Sequence, residues 1–231
     1  MTAFTEIIEP GPSERDLDFQ DWGLIEYSQA LLKMQETLEQ VIAGHTAGTL
    51  IFCSHPPVVT LGRATQAGDV FGWSGPLLEV SRGGRATYHG PSQVVVYPIL
   101  NLKEPRKGRG PQEIAGYLRA LEDGIVEALR EFGIDSTGRS RHKKSETSHE
   151  TDETGVWCGS RKVASLGISV KKWVTSHGAA INLQQDPQAF VGMNPCGFQT
   201  NIMASVEELL GAPVDRSHFQ DTLKAILLKR L

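Results

Sequence analysis

The chain has 231 residues, of which 39% are hydrophobic and 22% are charged, and its formal net charge is −4. This composition is typical of a globular protein with a substantial core, and the acidic balance argues against a general nucleic-acid-binding protein, which is usually basic. No stretch approaches the ~18 apolar residues of a membrane span, and the first residues lack a secretory-signal pattern. Three cysteines without a C-x-x-C pair fit a reducing, cytoplasmic compartment. We expect a single domain over residues 1–231.

The first half of the chain predicts two amphipathic helices and three strands. Apolar residues recur at steps of three and four from Leu24 to about Ala43, which indicates a helix. A second helix is expected from Pro111, in its first turn, to about Phe132, with Gly133 at its close. Runs of β-branched and apolar residues predict strands at 49–53, 58–61 and 94–100. The first two strands are expected to be joined by a tight connection.

The second half begins with a change of composition. From Ser136 to Thr154 the residues are almost all polar or charged, so we expect a mobile loop inserted in the domain. Three strands are predicted after it, followed by two short helices and a longer amphipathic one. In that order, these elements are 155–158, 162–170, 173–183, 187–191, 205–210 and 217–228. Helices and strands do not alternate regularly, which predicts an α+β (mixed α/β) fold with a mixed central β-sheet flanked by helices.

Cys196 stands between Pro195 and Gly197, on a turn that can present its sulfur rather than pack it. A free cysteine has a pKa near ~8.5, so only a small fraction is thiolate at neutral pH. A neighbouring ammonium stabilises the thiolate, and Lys162 could supply one because it leads the apolar run 163–167. Spacing alone leaves two other interpretations open: a buried, unreactive cysteine and a solvent-exposed lysine.

Two further segments combine small and polar residues in a way that suits a binding pocket. In the first, the glycine pair 83–84 lets the backbone approach a ligand closely, and polar side chains follow at 87–89. A plain turn is the alternative there. In the second, the small residues 178–180 leave room beside a strand for an alkyl chain. Taken alone, His177 is interpreted as a core histidine with satisfied hydrogen bonds.

Together these segments resemble the octanoyltransferases of lipoate synthesis. The matching residues are Pro195-Cys196-Gly197, Lys162-Val163-Ala164-Ser165-Leu166-Gly167, the run from Arg82 to Gln93 and the run from His177 to Asn182. One departure is Ser92, where the family has a glycine. The resemblance implies the catalytic fold of the biotin and lipoate protein ligases. It also implies an acyltransferase that moves an octanoyl or lipoyl group to a lysine ε-amine in protein lipoylation.

The resemblance implies roles for individual residues. Cys196 would be the nucleophile that carries the acyl group as a thioester, and Lys162 would be its base. Backbone N–H groups near Cys196 and in 165–167 would stabilise the oxyanion. Neither a metal nor a cofactor is implied. The residues implied to bind substrate are Arg82, Gly83, Gly84, Arg85, Ala86, Thr87, Tyr88, His89, Ser165, Leu166, Gly167, Gly178, Ala179 and Ala180.

The resemblance implies two kinds of protein partner. The donor would be octanoyl-acyl carrier protein, and the acceptors would be lipoyl domains of 2-oxoacid dehydrogenase E2 subunits and the glycine cleavage H protein. We expect a monomer that binds neither nucleic acid nor membrane. Two alternatives are an ATP-dependent lipoate–protein ligase and a non-catalytic acyl-binding protein. Pro195-Cys196-Gly197 favours the transferase over the ligase, because a ligase does not need a nucleophilic cysteine. The presence of both Cys196 and Lys162 argues against a non-catalytic protein.

Overall fold

The computed structural model describes residues 17–106, 109–140 and 153–231. The α-helices in these ranges are α1 (Tyr27–Ile42), α2 (Ile114–Glu131), α3 (Val206–Leu210) and α4 (Arg216–Arg230). The strands are β1 (Asp18–Leu24), β2 (Gly48–Ser54), β3 (Val58–Leu61), β4 (Leu77–Glu79), β5 (Thr87–His89), β6 (Gln93–Leu100), β7 (Thr137–Gly138), β8 (Gly155–Cys158), β9 (Arg161–Lys171) and β10 (Val174–Asn182).

The larger of two sheets has seven strands in the order β1-β2-β6-β10-β9-β8-β7. Strand β1 is parallel to β2, and the other neighbours pair antiparallel, so the sheet is mixed as predicted. All eight residues of β6 are buried. Its sequence shows no polar alternation because helices cover both faces of the sheet at this central position.

The helices form a layer on each face of this sheet. Met34, Leu38 and Val41 place α1 on one face, where they pack with Val95 and Ile99 of β6. Helices α2 and α4 pack on the opposite face and against each other. Successive residues of β6 therefore enter two different cores, as the period of two in a strand requires. No helix within the described ranges is long and apolar enough to cross a bilayer.

A second, three-stranded sheet has the order β4-β3-β5. Val59 of β3 and Tyr88 of β5 pack with Ala86, Phe190 and Met193 in a separate apolar cluster. The smaller sheet is thereby joined to the chain segment that leads to Cys196.

The two helices and three strands predicted for the first half of the chain are confirmed, but some of their predicted boundaries are wrong. Helix α1 begins at Tyr27, because Leu24 ends the edge strand β1, where its side chain is 63% exposed. Helix α2 begins at Ile114, because Gln112 has φ of 59° and Pro111 lies before the helix. The strands predicted at 49–53 and 58–61 exist, but they belong to different sheets.

In the second half, the three predicted strands 155–158, 162–170 and 173–183 are confirmed as β8, β9 and β10. The helices predicted at 205–210 and 217–228 are confirmed as α3 and α4. The predicted loop 136–154 is wrong only at its start, where Thr137–Gly138 form β7 and pair with β8, and residues 141–152 of this prediction lie outside the described ranges. Residues 187–191 form turns rather than a helix, since Phe190 has φ of 63°.

Candidate active site

A pocket lies on the face of the large sheet that α1 covers, and it contains about 410 Å³ of empty space, part of it open to solvent. The segments predicted to form one site supply most of its wall, together with side chains from α1 and β6. The lining residues are Tyr27, Arg82, Gly84, Thr87, His89, Val95, Tyr97, Ser165, Leu166, Gly167, His177, Gly178, Ala179, Ala180 and Cys196. Five residues predicted for the site do not line it: Gly83, Arg85, Ala86, Tyr88 and Lys162.

Cys196 reaches this pocket from a single 3-10 turn, Pro195–Gly197. Its φ of 55° and ψ of 21° place it in the left-handed region, which costs a non-glycine residue free energy. The Cys196 Sγ lies 3.8 Å from the Ser165 Oγ. The N–H groups of Cys196 and Gly197 donate to Ala86 O and Asn194 O. Both of these N–H groups are thus engaged by backbone carbonyls, while the expectation of oxyanion donors near Cys196 and in 165–167 stays a prediction.

Lys162 is completely buried, so the interpretation as an exposed surface charge is wrong. Its Nζ lies 5.6 Å from the ring centroid of Trp157 and 5.7 Å from that of Phe198. Phe198 is two residues after Cys196, and Ser165, which contacts the Cys196 sulfur, is three residues after Lys162. Strand β9 thus carries both the buried Lys162 and the Ser165 hydroxyl beside the Cys196 sulfur, and the Lys162 ammonium lies near two aromatic rings rather than in the pocket wall.

The two arginines of the 82–89 segment serve different contacts. Arg82 lines the pocket, but its guanidinium donates to protein oxygens: Gly83 O, Arg85 O, and both the carbonyl and the hydroxyl of Thr60. It therefore shapes the loop that carries the glycine pair. Arg85 turns away from the pocket and forms a buried ion pair with Asp69.

Ser92, the departure from the family pattern, has a local partner. Its hydroxyl donates to Asp186 at 3.0 Å, and the Tyr88 hydroxyl donates to the same oxygen at 3.1 Å. The serine hydroxyl thus joins the turn after β5 to the segment after β10. A glycine at this position could not make that contact.

Sequence reasoning missed a polar cluster at the α1 side of the pocket. Tyr27 and Tyr97 line it, and the Tyr97 hydroxyl lies 2.8 Å from Nε2 of His55. The rings of Tyr27 and His89 stack with centroids 5.3 Å apart. Nδ1 of His177 is buried and has no hydrogen-bond partner among the described residues, so the interpretation of a satisfied core histidine is wrong. The sequence did contain one indication of this cluster: Tyr97, which has a polar hydroxyl, stands within the apolar run 94–100.

Burial keeps the histidines of this cluster uncharged. It lowers the pKa of His55 and of His177 to about 4, and it lowers the pKa of His89 well below its usual value. Burial also raises the pKa of Tyr97. Apart from the Arg82 guanidinium, which donates to protein oxygens, the polar side chains of the pocket wall are therefore neutral at physiological pH, which suits an uncharged ligand with an alkyl part.

The small residues of β10 have two functions rather than one. A Cβ on Gly178 would lie 2.1 Å from the carbonyl oxygen of Val96 in the neighbouring strand. Glycine is required there for the close approach of β6, in addition to any room it leaves in the pocket. Ala180 has its side chain on the α1 face, among the residues that pack with Val95.

Acid is expected to destabilise the protein through these histidines. In the unfolded chain His177 takes up a proton as pH falls below about 6.5, whereas in the folded chain it stays neutral to about pH 4, so stability is lost as pH falls through this interval. When the pH is lowered from 7 to 4.5, the unfolding free energy measured in urea should fall for both proteins. The fall should be roughly 2 kcal/mol smaller for His177→Asn than for the unmodified protein. Asparagine tolerates the positive φ of 58° at this position.

The control for this measurement is His218→Asn, which changes an exposed histidine at the start of α4. Its unfolding free energy should follow that of the unmodified protein at every pH. If the unfolding free energy of His177→Asn fell with pH as much as that of the unmodified protein, the account of a neutral, buried His177 would be contradicted.

Comparison with known proteins gives consistent matches over nearly the whole chain. The family model of the lipoyl protein ligase A/B catalytic domain matches residues 26–228. An octanoyltransferase from Bdellovibrio bacteriovorus is 56% identical over 217 residues, which cover 94% of this chain and 99% of that protein. One from Syntrophotalea carbinolica is 32% identical over 219 residues, covering 91% of this chain and 96% of that protein.

A likeness to a solved structure concerns the fold. A bi-partite lipoate protein ligase from Thermoplasma acidophilum has a TM-score of 0.64 at 14% identity, and the match covers 92% of this chain and 82% of that one. The fold expected from the sequence motifs is thereby confirmed.

Proposed function

The chain belongs to the octanoyltransferases of the lipoyl protein ligase A/B catalytic domain family, and from this we propose how its residues carry out the reaction. It is an acyltransferase that transfers octanoyl groups in protein lipoylation. The proposal concerns the donor, the intermediate, the acceptor and the two residues that carry the chemistry. The observation that carries it is Cys196, held on a left-handed turn at a pocket wall, with its sulfur beside Ser165 of the strand that also carries the buried Lys162.

In the first step the Cys196 thiolate attacks the thioester carbonyl of octanoyl-acyl carrier protein. A new thioester forms on Sγ, and the bond to the phosphopantetheine sulfur breaks. Lys162 helps to generate the thiolate and returns a proton to the departing sulfur. One thioester replaces another, so the step is nearly isoenergetic and needs no nucleotide.

In the second step the ε-amine of a lipoyl-domain lysine attacks the octanoyl-enzyme. An amide forms, the Cys196 sulfur leaves, and the proton lost by the amine restores the thiol. The acceptors in this proposal are lipoyl domains of 2-oxoacid dehydrogenase E2 subunits and the glycine cleavage H protein. A reducing, cytoplasmic compartment belongs to the proposal because the cycle requires a free thiol at Cys196.

The pocket beside Cys196 takes the octanoyl chain. Val95 and Ala180, whose side chains lie on the α1 face of the sheet, supply apolar surface to the pocket that Cys196 also lines, and the polar cluster with Tyr27 and Tyr97 lies at the α1 side. Each buried methylene of the chain contributes about 0.8 kcal/mol to binding. The dimensions of this space therefore set the preferred chain length.

Enlarging Ala180 is expected to shift the preference toward shorter chains. Ala180→Leu places three more carbons in the pocket, which removes about three methylenes of burial, or roughly 2.4 kcal/mol, from an octanoyl chain. Its kcat/KM for octanoyl donors should fall roughly 50-fold, while that for butanoyl donors changes little. Ala225→Leu, the same change at an exposed position of α4, is the control and should leave both values unchanged. An equal loss for both chain lengths would contradict this placement of the chain.

ATP dependence distinguishes the proposal from its rivals. A transferase works from the acyl thioester without nucleotide, whereas a lipoate–protein ligase stops without it. A non-catalytic acyl-binding protein would bind the chain and transfer nothing. Mixing the protein with octanoyl-acyl carrier protein and an apo lipoyl domain, with and without ATP, separates all three.

A further inference from the structure

The conformation of Cys196 needs support from its surroundings. A non-glycine residue with φ of 55° persists only where neighbouring contacts determine its backbone. Two hydrogen bonds provide such contacts. The Cys196 N–H donates to Ala86 O at 2.9 Å, and the Asn194 N–H donates to Asp69 O at 2.8 Å.

The two accepting carbonyls belong to separate loops. Ala86 ends the 82–86 loop, and Asp69 lies in the 62–72 loop. The second loop makes further contacts with the segment before the cysteine, because the N–H groups of Phe71 and Gly72 both donate to Gly192 O at 2.9 Å. The geometry of the nucleophile's turn therefore depends on how these two loops are placed relative to each other.

A buried ion pair joins the two loops directly. Arg85 Nε donates to Asp69 Oδ2 at 3.0 Å, and a second guanidinium nitrogen of Arg85 donates to Asp69 Oδ1. The Asp69 side chain is 1% exposed and that of Arg85 is 10% exposed. The same carboxylate accepts the N–H of Gln66 at 2.9 Å, which fixes the aspartate within its own loop.

We propose that the Asp69–Arg85 ion pair is a positioning device for the nucleophile, holding together the two loops whose carbonyls fix the Cys196 turn. Neither side chain lines the pocket, so both act through the backbone of Cys196. This inference rests on the proposed role of Cys196 as nucleophile. Removal of one partner leaves an uncompensated buried charge, so the loops separate, whereas loss of an exposed ion pair has little effect.

The first test is Asp69→Asn, assayed for octanoyl transfer. A displacement of about 1 Å at a reacting atom can cost roughly 100-fold in rate, so kcat should fall between about 10-fold and 100-fold while KM for the octanoyl donor stays within about twofold. The pH profile of iodoacetamide alkylation of Cys196 should also change, because the turn that presents the sulfur moves relative to its surroundings. This second readout requires no acyl substrate.

Two further variants separate positioning from loss of stability. The double variant Asp69→Asn, Arg85→Gln removes both charges and retains amides that can hydrogen-bond, so it should recover most of the lost kcat. Leu223→Ala, a core change in α4, lowers stability without touching either loop, and it should leave kcat and the alkylation profile unchanged. If Asp69→Asn does not fold, Arg85→Lys takes its place. Lysine keeps the positive charge but cannot make the bidentate contact with the Asp69 carboxylate, so a smaller fall in kcat is expected, again with little change in KM.

The proposal is overturned if Asp69→Asn, or Arg85→Lys in its place, retains the kcat and alkylation profile of the unmodified protein. It is also overturned if Leu223→Ala, at an equal loss of stability, reproduces the change in both. A failure of the proposed function looks different, because the unmodified protein would then form no octanoyl-cysteine, whatever the alkylation profiles of the variants.

Discussion

Replacement of Cys196 by alanine is expected to abolish octanoyl transfer, with kcat falling at least about 10⁴-fold. The variant loses the atom that carries the acyl group, so neither step can proceed. Alanine occupies less space than cysteine, and the turn keeps its hydrogen bond to Ala86 O, so the fold should persist. The measurement is the steady-state transfer of octanoyl from acyl carrier protein to an apo lipoyl domain, with circular dichroism to verify folding.

The other two cysteines provide matched controls for this prediction. Cys53 is buried in β2, where burial raises its pKa and disfavours the thiolate, and Cys158 is half-buried in β8. Neither lines the pocket. Cys53→Ala and Cys158→Ala should each keep kcat within about threefold of the unmodified protein. Transfer at a normal rate by Cys196→Ala would show that the reaction does not pass through this sulfur.

Lys162→Met is expected to give the second largest loss, a fall in kcat of roughly 10²–10⁴-fold, the range typical of a lost acid–base group. Methionine has a similar length and volume and carries no amine, so it removes the proton-transferring group while filling most of the same space. The aromatic rings of Trp157 and Phe198, which flank the ammonium, can pack on the thioether. Circular dichroism and urea unfolding verify that the variant is folded, so that the fall in kcat reports the missing amine.

Lys162→Arg distinguishes the contribution of the positive charge of Lys162 from its contribution as a proton donor and acceptor. Arginine keeps the positive charge that favours the thiolate, but it does not give up a proton near neutral pH. Its rate should lie between those of Lys162→Met and the unmodified protein. Arg161→Met, at the adjacent residue that pairs with Glu208 near the surface, is the control and should keep normal transfer. Full activity in Lys162→Met would contradict the assignment of Lys162 as the base.

The elements of the fold were predictable where burial imposes a strong pattern. Strand β6 and helix α4 follow from apolar residues at positions that packing makes necessary. Strand β1 was not predictable, because most of its side chains are exposed and its pairing with β2 uses backbone groups that all residues share. Phe190 shows a second limit: its positive φ depends on the surrounding chain and interrupts an apolar run that resembles a helix.

The site was predictable in its motifs and not in its contacts. The Cys196 turn and the Lys162 strand are each recognised from neighbouring residues in the sequence. Asp69 and Tyr97 come from distant parts of the chain, and only folding brings them to the loops or the pocket. Arg85 shows the consequence, because it was expected to bind substrate as part of a motif, yet it faces a carboxylate outside that motif.

The central claim is that an octanoyl group passes through Cys196 without nucleotide. The most direct test is the intact mass of the protein after it is mixed with octanoyl-acyl carrier protein in the absence of ATP. The account predicts one octanoyl adduct that Cys196→Ala lacks and that an apo lipoyl domain removes while becoming octanoylated. A folded protein that gains no adduct and transfers no octanoyl group would contradict it.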